Sequence, residues 1–359
     1  MFVPAWRDAG GRPDWCGCRS TSGPLVSAGI EHQKTFTDND AGRKKQDLAS
    51  QEIPDIRTGD EGCMMNIRSV KSLIAAAIGA CMSFSAEALE VNPGDYEQFP
   101  SNATIGVLYY QYGRGNEAYV RGSKATSDAK LDTNVGIIRL LHVYEIAPGV
   151  TVDPQFLLPV GAISTGGVLA PLGSPGGVGD IILATAFKFK LDTKFNDVFA
   201  ITPYLIAPTG DYDATRSLNF GANRWQGIIQ AAYVKHFDPA WSLDLIGDVA
   251  FYSDNTRYNS AGIGRLSQDP QFELQAYLRY KVNPALEIGG GFGGKIGGNQ
   301  SFQQVSLRNP QGTTYGRLAV AYFPEPTFQV QAMIGQDLTV ENGTKQATFV
   351  QLRLAKIFP

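Results

Sequence analysis

The stretch "FELQAYLRYK", residues Phe272–Lys281, alternates between apolar and polar side chains along almost its whole length. In an extended chain one face carries Phe272, Leu274, Ala276, Leu278 and Tyr280, and the other carries Glu273, Gln275, Tyr277, Arg279 and Lys281. A period of two is typical of a β-strand that has one apolar face and one polar face. The stretch "WSLDLIGDVAF" (Trp241–Phe251) repeats the pattern.

Similar runs recur along the chain after residue 100. We count about twelve of them, each close in length to the 9–11 or so residues of a tilted membrane-spanning strand. They lie near residues 103–113, 134–146, 150–161, 180–191, 198–207, 225–236, 241–252, 271–281, 286–296, 313–323, 328–337 and 346–358. The predicted fold class is therefore all-β.

The connections between these runs alternate in length. Short turns contain proline, which cannot extend a strand ladder; they are Ala147–Gly149, Asp238–Ala240, Asn283–Pro284 and Pro324–Pro326. Longer segments rich in Gly, Ser and Asn lie near 114–133, 162–179, 208–224, 253–270, 297–312 and 338–345. This alternation predicts one rim of short turns and one rim of long loops.

Strands can cross a lipid bilayer only as a closed barrel, because every backbone polar group there needs a partner within the protein. The sequence therefore predicts a transmembrane antiparallel β-barrel of about 12 strands in the outer membrane of a Gram-negative bacterium, with short periplasmic turns and long extracellular loops. Its expected partners are outer-membrane lipids and the barrel assembly machinery. Aromatic residues are expected at both membrane interfaces: Phe237, Trp241, Tyr322, Phe323 and Phe328 near the short turns, and Trp225, Tyr252 and Tyr315 at the other rim.

A secretory signal peptide is predicted over residues 64–88. "MMNIRSVKSLIAAAIGACMSFSAEALE" (Met64–Glu90) contains a basic start, an apolar run over Ser72–Phe84 and an Ala-x-Ala site that places cleavage between Ala88 and Leu89. The barrel would occupy residues 89–359. Residues 1–63 show no sustained period, which predicts a non-native or disordered extension.

Three alternatives remain open for this N-terminal part. Residues 1–63 are either the product of a start codon placed too far upstream or a genuine extension. The apolar run could be a membrane anchor, although it is shorter than the roughly 20 residues that a spanning helix needs. The stretch Ile78–Cys81 also resembles a lipoprotein box, in which Cys81 would be lipidated.

Composition argues against several classes of function. From Leu89 onward the chain carries 21 Lys and Arg residues against 23 Asp and Glu, a balance that does not favour a nucleic-acid partner. The only histidines in this part, His142 and His236, do not combine with a Ser nucleophile and an acid at one rim. The glycines of Gly289–Gly298 continue a strand and open no helix, so they do not form a phosphate loop. We therefore predict no enzyme activity, no catalytic residues, no cofactor and no metal site.

Charged residues on the polar faces are predicted to point into the lumen. They are Lys188, Lys190, Asp244, Asp248, Glu273, Arg279, Arg317 and Arg353. They could pair across neighbouring strands and fill a narrow interior, or they could line a pore. The inward faces of the first two strands are ambiguous, because Arg139 and His142 cannot both point inward. Apolar inward side chains there would give the barrel an apolar inner wall.

The loop "AISTGGVLAPLGSPGGVG" (Ala162–Gly179) has no charged residue and an apolar centre. Burying such side chains is favourable, so the loop is expected either to fold over the mouth or to pack on its neighbours and the outer leaflet. In the first case Val168, Leu169 and Leu172 would form a hydrophobic constriction.

Three further motifs carry a family resemblance: Gly176–Asp180 ("GGVGD"), Pro203–Asp213 ("PYLIAPTGDYD") and Asn219–Trp225 ("NFGANRW"). Through them the chain resembles the Gram-negative outer-membrane proteins associated with the meta-cleavage pathway of phenol degradation. The resemblance implies a barrel for the uptake of small hydrophobic or aromatic compounds. A non-conducting barrel with a structural or surface-interaction role is the alternative. Neither the identity of the solute nor the direction of flux follows from the sequence.

Overall fold

The computed structural model describes residues 90–258 and 263–358. The predicted signal peptide, its cleavage site, Cys81 and residues 1–63 lie outside the described residues. The assignments made for that part of the chain therefore stay predictions.

Twelve antiparallel strands form a closed barrel. The barrel strands are β1 Thr104–Val120, β3 Ala129–His142, β5 Val150–Gly167, β7 Ile181–Lys190, β8 Val198–Ala207, β9 Gln226–His236, β10 Trp241–Tyr252, β12 Gln271–Asn283, β13 Leu286–Gly297, β16 Gln311–Glu325, β17 Phe328–Val340 and β18 Gly343–Phe358. Each pairs with the next, and β1 pairs with β18 from Thr104 opposite Phe358 to Tyr119 opposite Gly343. The predicted barrel is confirmed, and its closure leaves no unpaired edge for lipid to meet.

Short strands and one 3₁₀ turn lie at the two rims of the barrel. The short strands are β2 Ser123–Thr126, β4 Tyr144–Ala147, β6 Gly176–Val178, β11 Leu266–Gln268, β14 Gln300–Phe302 and β15 Val305–Ser306. The last three form a small separate sheet, and a 3₁₀ turn spans Ala170–Leu172. None of the helical elements in the described part of the chain has the length and apolar character needed to cross a membrane.

Two of the expected long connections are largely strand. Most of residues 114–133 belongs to β1, β2 and β3, and β17 is joined to β18 by the tight turn Glu341–Asn342. These parts of the wall carry charged side chains on their outer face, as Arg114, Glu117 and Asp132 illustrate. A strand that extends beyond the lipid has no need of an apolar face, so it lacks the alternation from which strands are predicted.

The side chains divide between lipid and lumen as the alternation predicts, with two exceptions among the aromatic residues. Trp225 and Trp241 are exposed on the outer surface, whereas Tyr315 is fully buried and Tyr252 lines an internal cavity. Tyr252 and Tyr315 are therefore not interface residues. The ambiguity of the first strands is also resolved, because Arg139 lies inside, within 3.0 Å of the Tyr109 hydroxyl.

The glycine-rich strand β13 makes room for two large rings. A Cβ atom on Gly291 would lie 1.9 Å from the Ala276 carbonyl oxygen and 2.7 Å from the Tyr277 ring, and one on Gly293 would lie 2.3 Å from the Tyr315 ring. Any larger residue at either position would overlap a tyrosine that is packed against the strand. Close packing thus explains these glycines, and the stretch continues as strand without opening a helix.

We predict that Leu245→Arg will weaken the barrel by roughly 2–4 kcal/mol, since a lipid-facing arginine near the membrane centre must be desolvated. Leu245 is 43% exposed and lies on the outer face of β10, between Trp241 and Phe251. Urea unfolding in lipid vesicles would measure the change. Ser242→Arg on the inner face is the matched control and should leave stability nearly unchanged. A larger loss in Ser242→Arg than in Leu245→Arg would mean that the strand faces are assigned the wrong way round.

Candidate functional site in the barrel lumen

Residues 90–98 precede β1 and run inside the barrel, and we name them the plug segment. The carboxylate of Glu90 binds Arg317 of β16, with 2.7 Å between Oε1 and Nε. The Tyr96 hydroxyl donates to Thr202 of β8, at 3.2 Å. These two strands lie on different sides of the barrel. The plug segment therefore crosses the lumen and narrows it.

Arg279 of β12 is the main anchor of the plug segment. This side chain is almost completely buried and binds three carboxylates: Asp244 at 2.9 Å, Glu287 at 3.2 Å and Glu97 of the plug segment. Asp244 in turn accepts a hydrogen bond from the Gly94 backbone N–H, at 2.8 Å. One arginine thus links the plug segment to three strands of the wall, β10, β12 and β13.

Two acidic residues of the plug segment, Asp95 and Glu97, are held in their ionised form. Burial alone would raise the pKa of Glu97, but the hydrogen bond from His236 and the charge of Arg279 lower it to about 2. Burial also opposes ionisation of Asp95, yet the pKa of Asp95 is lowered by arginines, including Arg353 at 2.9 Å. The plug segment is therefore held by charge at neutral pH.

Most of the predicted lumen-facing residues lie inside the barrel; they are Lys188, Asp244, Asp248, Glu273, Arg279, Arg317 and Arg353. Lys190 is exposed at the periplasmic end of β7. The interior charges are partnered, as shown by Lys188 at 3.3 Å from Asp153 and by Glu273, which accepts a hydrogen bond from Tyr315. These contacts favour the alternative in which the charges fill the interior, and their role as pore lining stays a prediction.

One side of the lumen is covered by a continuous group of buried apolar side chains, which we name the apolar wall. It extends over β1, β3, β5, β7, β8, β9 and β10. Its members include Ile105, Val107, Tyr109, Ile137, Leu141, Leu157, Ile182, Ile206, Ile228 and Ala250. The inward apolar residues considered for the first two strands are thus present, and they continue round half of the barrel.

Two cavities lie beside the apolar wall, and a larger one of about 560 Å³ lies at the periplasmic end, lined in part by Glu97, His236, Arg279 and Arg353. The extracellular cavity has a volume of about 150 Å³ and is apolar on the side of β3 and β5 and rich in glutamine on the other. A smaller cavity of about 40 Å³ lies between the plug segment and the apolar wall. The two share Glu90 and Gln111 in their linings. The sequence analysis predicted neither cavity, because both are formed by residues that meet only across the closed barrel.

The predicted constriction residues Val168, Leu169 and Leu172 are buried at the extracellular end. They pack with Ala118, Ala129, Leu131, Ile163, Leu218 and Phe220. Leu131, Ile163 and Phe220 line the extracellular cavity, whereas the three loop residues are absent from its lining. The loop residues thus pack against side chains that themselves line the cavity, and both alternatives left open for the loop stay predictions. That Val168, Leu169 and Leu172 restrict passage stays a prediction.

Each of the two histidines makes a side-chain hydrogen bond in the described part of the chain. His142 bonds the Thr104 hydroxyl, at 2.9 Å, and His236 bonds Glu97, at 3.0 Å. Within residues 90–258 and 263–358 no three His, Cys, Asp or Glu side chains are grouped so as to hold a metal ion.

The three loop motifs singled out in the sequence meet around Asp180. Its carboxylate accepts hydrogen bonds from the backbone N–H groups of Gly210 and Ala222, both at 2.8 Å. Asp211 binds the N–H of Val178, also at 2.8 Å. Asp180 is buried, and burial raises its pKa against these donors. Hydrogen bonds therefore join the three motifs at the base of the extracellular loops.

We predict that Asp180→Ala will loosen the extracellular loops by roughly 1–3 kcal/mol, because it leaves buried N–H groups without an acceptor. Hydrogen exchange of residues 208–224 would measure the opening. Asp213→Ala is the matched control, since Asp213 bonds only within its own loop. Equal protection in Asp180→Ala and the unaltered protein would contradict this role.

Comparison with known structures identifies the barrel type. An outer membrane channel from Pseudomonas putida F1 is 43% identical, with a TM-score of 0.73, and the match covers 75% of this chain and 100% of that one. The beta domain of the Bordetella autotransporter BrkA is 11% identical (72% and 100% covered, TM-score 0.47). The CymD monoaromatic hydrocarbon channel is 9% identical (79% and 97% covered, TM-score 0.45). The two lower scores add nothing to the assignment.

Sequence comparison agrees with the structural match. No curated protein sequence matches the chain significantly. A family model matches residues 115–354, which include all three loop motifs and most of the barrel. Together with the 43% identical channel, this match places the protein in the outer membrane of Gram-negative bacteria. The chain belongs to the family described as "Putative MetA-pathway of phenol degradation".

Proposed function

We propose that this barrel is a passive channel for the uptake of small hydrophobic or aromatic compounds. The observation that carries the proposal is the apolar wall, which borders the smaller cavity and runs along one side of the lumen. A solute crossing here would exchange water for apolar contacts, which favours compounds with apolar surface.

The charged side chains opposite the apolar wall are paired and therefore attract ions only weakly. Arg279 is neutralised by Asp244, Glu97 and Glu287, and Arg317 by Glu90. A hydrated ion entering the lumen would therefore meet charges that are already paired, and narrow spaces. An ion-selective filter instead needs charges that are free to interact with the ion. Ions are thus disfavoured both by the pairing of the charges in the lumen and by the small width of the lumen.

The relatives support a channel rather than an enzyme. The 43% identical protein is described as an outer membrane channel, and the family description refers to phenol degradation. We propose that the protein breaks no bond, requires no cofactor and binds no nucleic acid. We further propose that the barrel assembly machinery inserts it.

A second candidate is a sealed barrel whose loops bind a partner at the cell surface. The plug segment favours this alternative, because only about 40 Å³ remains between it and the apolar wall. For the channel to conduct, either the plug segment shifts or solutes pass beside it one at a time.

Uptake by intact cells would separate the two. The lipopolysaccharide leaflet slows the entry of apolar compounds, so a Gram-negative host expressing the barrel gives a low background. We expect faster entry of N-phenylnaphthylamine, a neutral aromatic compound that fluoresces in lipid. Entry of charged nitrocefin, followed by its hydrolysis in the periplasm, should not change. No increase for either probe would support the sealed barrel, and a parallel increase for both would overturn selectivity for apolar solutes.

A further inference from the structure

Gln226 has a buried amide without a partner at the edge of the extracellular cavity. It is the first residue of β9, it is only 1% exposed, and it lines the cavity. Neither its Oε1 nor its Nε2 has a hydrogen-bond partner in the described part of the chain. Buried amides are normally satisfied, so this one points to a molecule that occupies the cavity.

In this geometry the residues around Gln226 make their hydrogen bonds elsewhere. Ile206, opposite it on β8, is apolar. Tyr252, opposite it on β10, donates its hydroxyl proton to Gln271, at 3.2 Å. Arg224 lies over the Tyr252 ring and donates to Gln268, at 2.6 Å. The amide is therefore available to a ligand on the cavity side.

The charges around the cavity are already compensated, which disfavours an ionised ligand. Glu90 and Arg317 bind each other, Lys295 lies 3.9 Å from the Glu273 carboxylate, and Asp180 accepts two backbone N–H groups. Asp337 accepts a hydrogen bond from the Gln346 backbone, at 2.7 Å. An anion or a cation would have to leave water without gaining an unpaired counter-charge, at considerable cost. The cavity thus fits a neutral molecule.

The other half of the cavity fits an apolar ring. Leu131, Val135 and Ile163 line it, together with Pro159 and Phe220, which approach each other at Gly179. A Cβ atom on Gly179 would lie 3.1 Å from Pro159 and 3.3 Å from Phe220. The volume of about 150 Å³ matches that of a cavity able to hold one benzene-sized ring.

We propose that the extracellular cavity binds a neutral ring compound that carries at least one hydroxyl group, and that Gln226 recognises this hydroxyl. The ring lies against the apolar side. One hydroxyl can donate to Oε1 or accept from Nε2, and two neighbouring hydroxyls can satisfy both atoms. The inference rests on the proposed channel, since it names the solute class that the channel selects, but its test does not depend on transport.

Equilibrium binding to the purified full-length barrel in lipid nanodiscs tests the proposal, with empty nanodiscs as the blank for partition into lipid. The probes are catechol, phenol, toluene and benzoate. We expect affinity to fall from catechol to phenol to toluene, with about a tenfold difference between phenol and toluene, the value of one hydrogen bond. Benzoate should bind more weakly than phenol.

Gln226→Leu should remove the preference for hydroxyl groups and leave toluene binding unchanged. Its thermal midpoint should equal or exceed that of the unaltered protein, because two unpartnered polar atoms disappear. Gln275→Leu, a buried glutamine on β12 outside the cavity lining, is the matched control and should keep the preference. A loss of stability in Gln226→Leu would instead indicate a structural role.

Two results would overturn the inference: equal affinities for phenol and toluene, or an equal loss of all probes in Gln226→Leu. Failure of the channel proposal is distinguishable from either. Aromatic uptake without hydroxyl-selective binding would leave the channel and remove the site. Selective binding without uptake would leave the site and remove the channel.

Discussion

Deletion of residues 90–98 should raise the ion conductance of the barrel roughly tenfold or more, because a barrel of this strand number is wide enough to conduct once its interior is emptied. Single-channel recording in planar bilayers would measure the increase. The open lumen should also favour anions more than the complete protein does, since the deletion removes the carboxylates of Glu90, Asp95 and Glu97 and leaves the arginines that they bind.

A Gly-Ser segment of the same length provides the control for this deletion. It keeps a chain in the lumen without the anchoring side chains, so we expect a current that fluctuates between low and high levels. An unchanged, low conductance in the deletion variant would show that the plug segment is not what closes the barrel.

Acid should loosen the plug segment in the complete protein. The pKa of Glu97 is lowered from its usual 4.5 to about 2, so its ion pairs stabilise the segment fully above pH 4.5. That contribution is lost as the pH falls toward 2. Conductance should therefore stay low from neutral pH to about 4.5 and rise below it.

Arg279→Met should lower the free energy of unfolding by about 3–5 kcal/mol, the usual effect of removing one partner of a buried ion pair. The reason is that Asp244 is itself buried and would lose its main counter-charge, while Glu97 and Glu287 each lose a contact. Urea unfolding in vesicles is the appropriate measurement.

Two variants make this test specific. Lys281→Met removes a positive charge from an exposed position two residues further along β12 and should change stability little. The double variant Arg279→Met with Asp244→Asn should recover part of the loss, because the uncompensated buried charge is gone. A double variant no more stable than Arg279→Met alone would mean that lost packing, rather than charge, dominates.

The barrel could be predicted from the sequence because contact with lipid imposes the same rule on each spanning strand, an alternation of apolar and polar side chains. Wherever one face meets lipid and the other meets the lumen, side chains alternate, as in Phe272–Lys281. The rule fails where the wall rises above the membrane. Residues 114–120 continue β1 but have water on their outer face, so their sequence resembles a loop.

The lumen was harder to predict, because its contacts join residues far apart in sequence. The plug segment reads as a polar turn, "EVNPGDYEQ" (residues 90–98), and only the closed barrel brings Glu90 to Arg317. A signal did exist. Arg139, Arg279, Arg317 and Arg353 all lie on inward faces, and buried arginines need carboxylate partners, which the preceding acidic segment supplies.

The seam between β1 and β18 sets an order of assembly. The plug segment is attached to the start of β1, and β18 is the last of the twelve barrel strands in chain order. We expect the segment to be enclosed as the final ladder forms, with Arg353 of β18 closing over Asp95, rather than threaded into a finished cylinder. A disulfide between Asp95→Cys and Arg353→Cys would then form during insertion and not only after it. The plug segment would thus take its place in the interior before the wall of the barrel is complete.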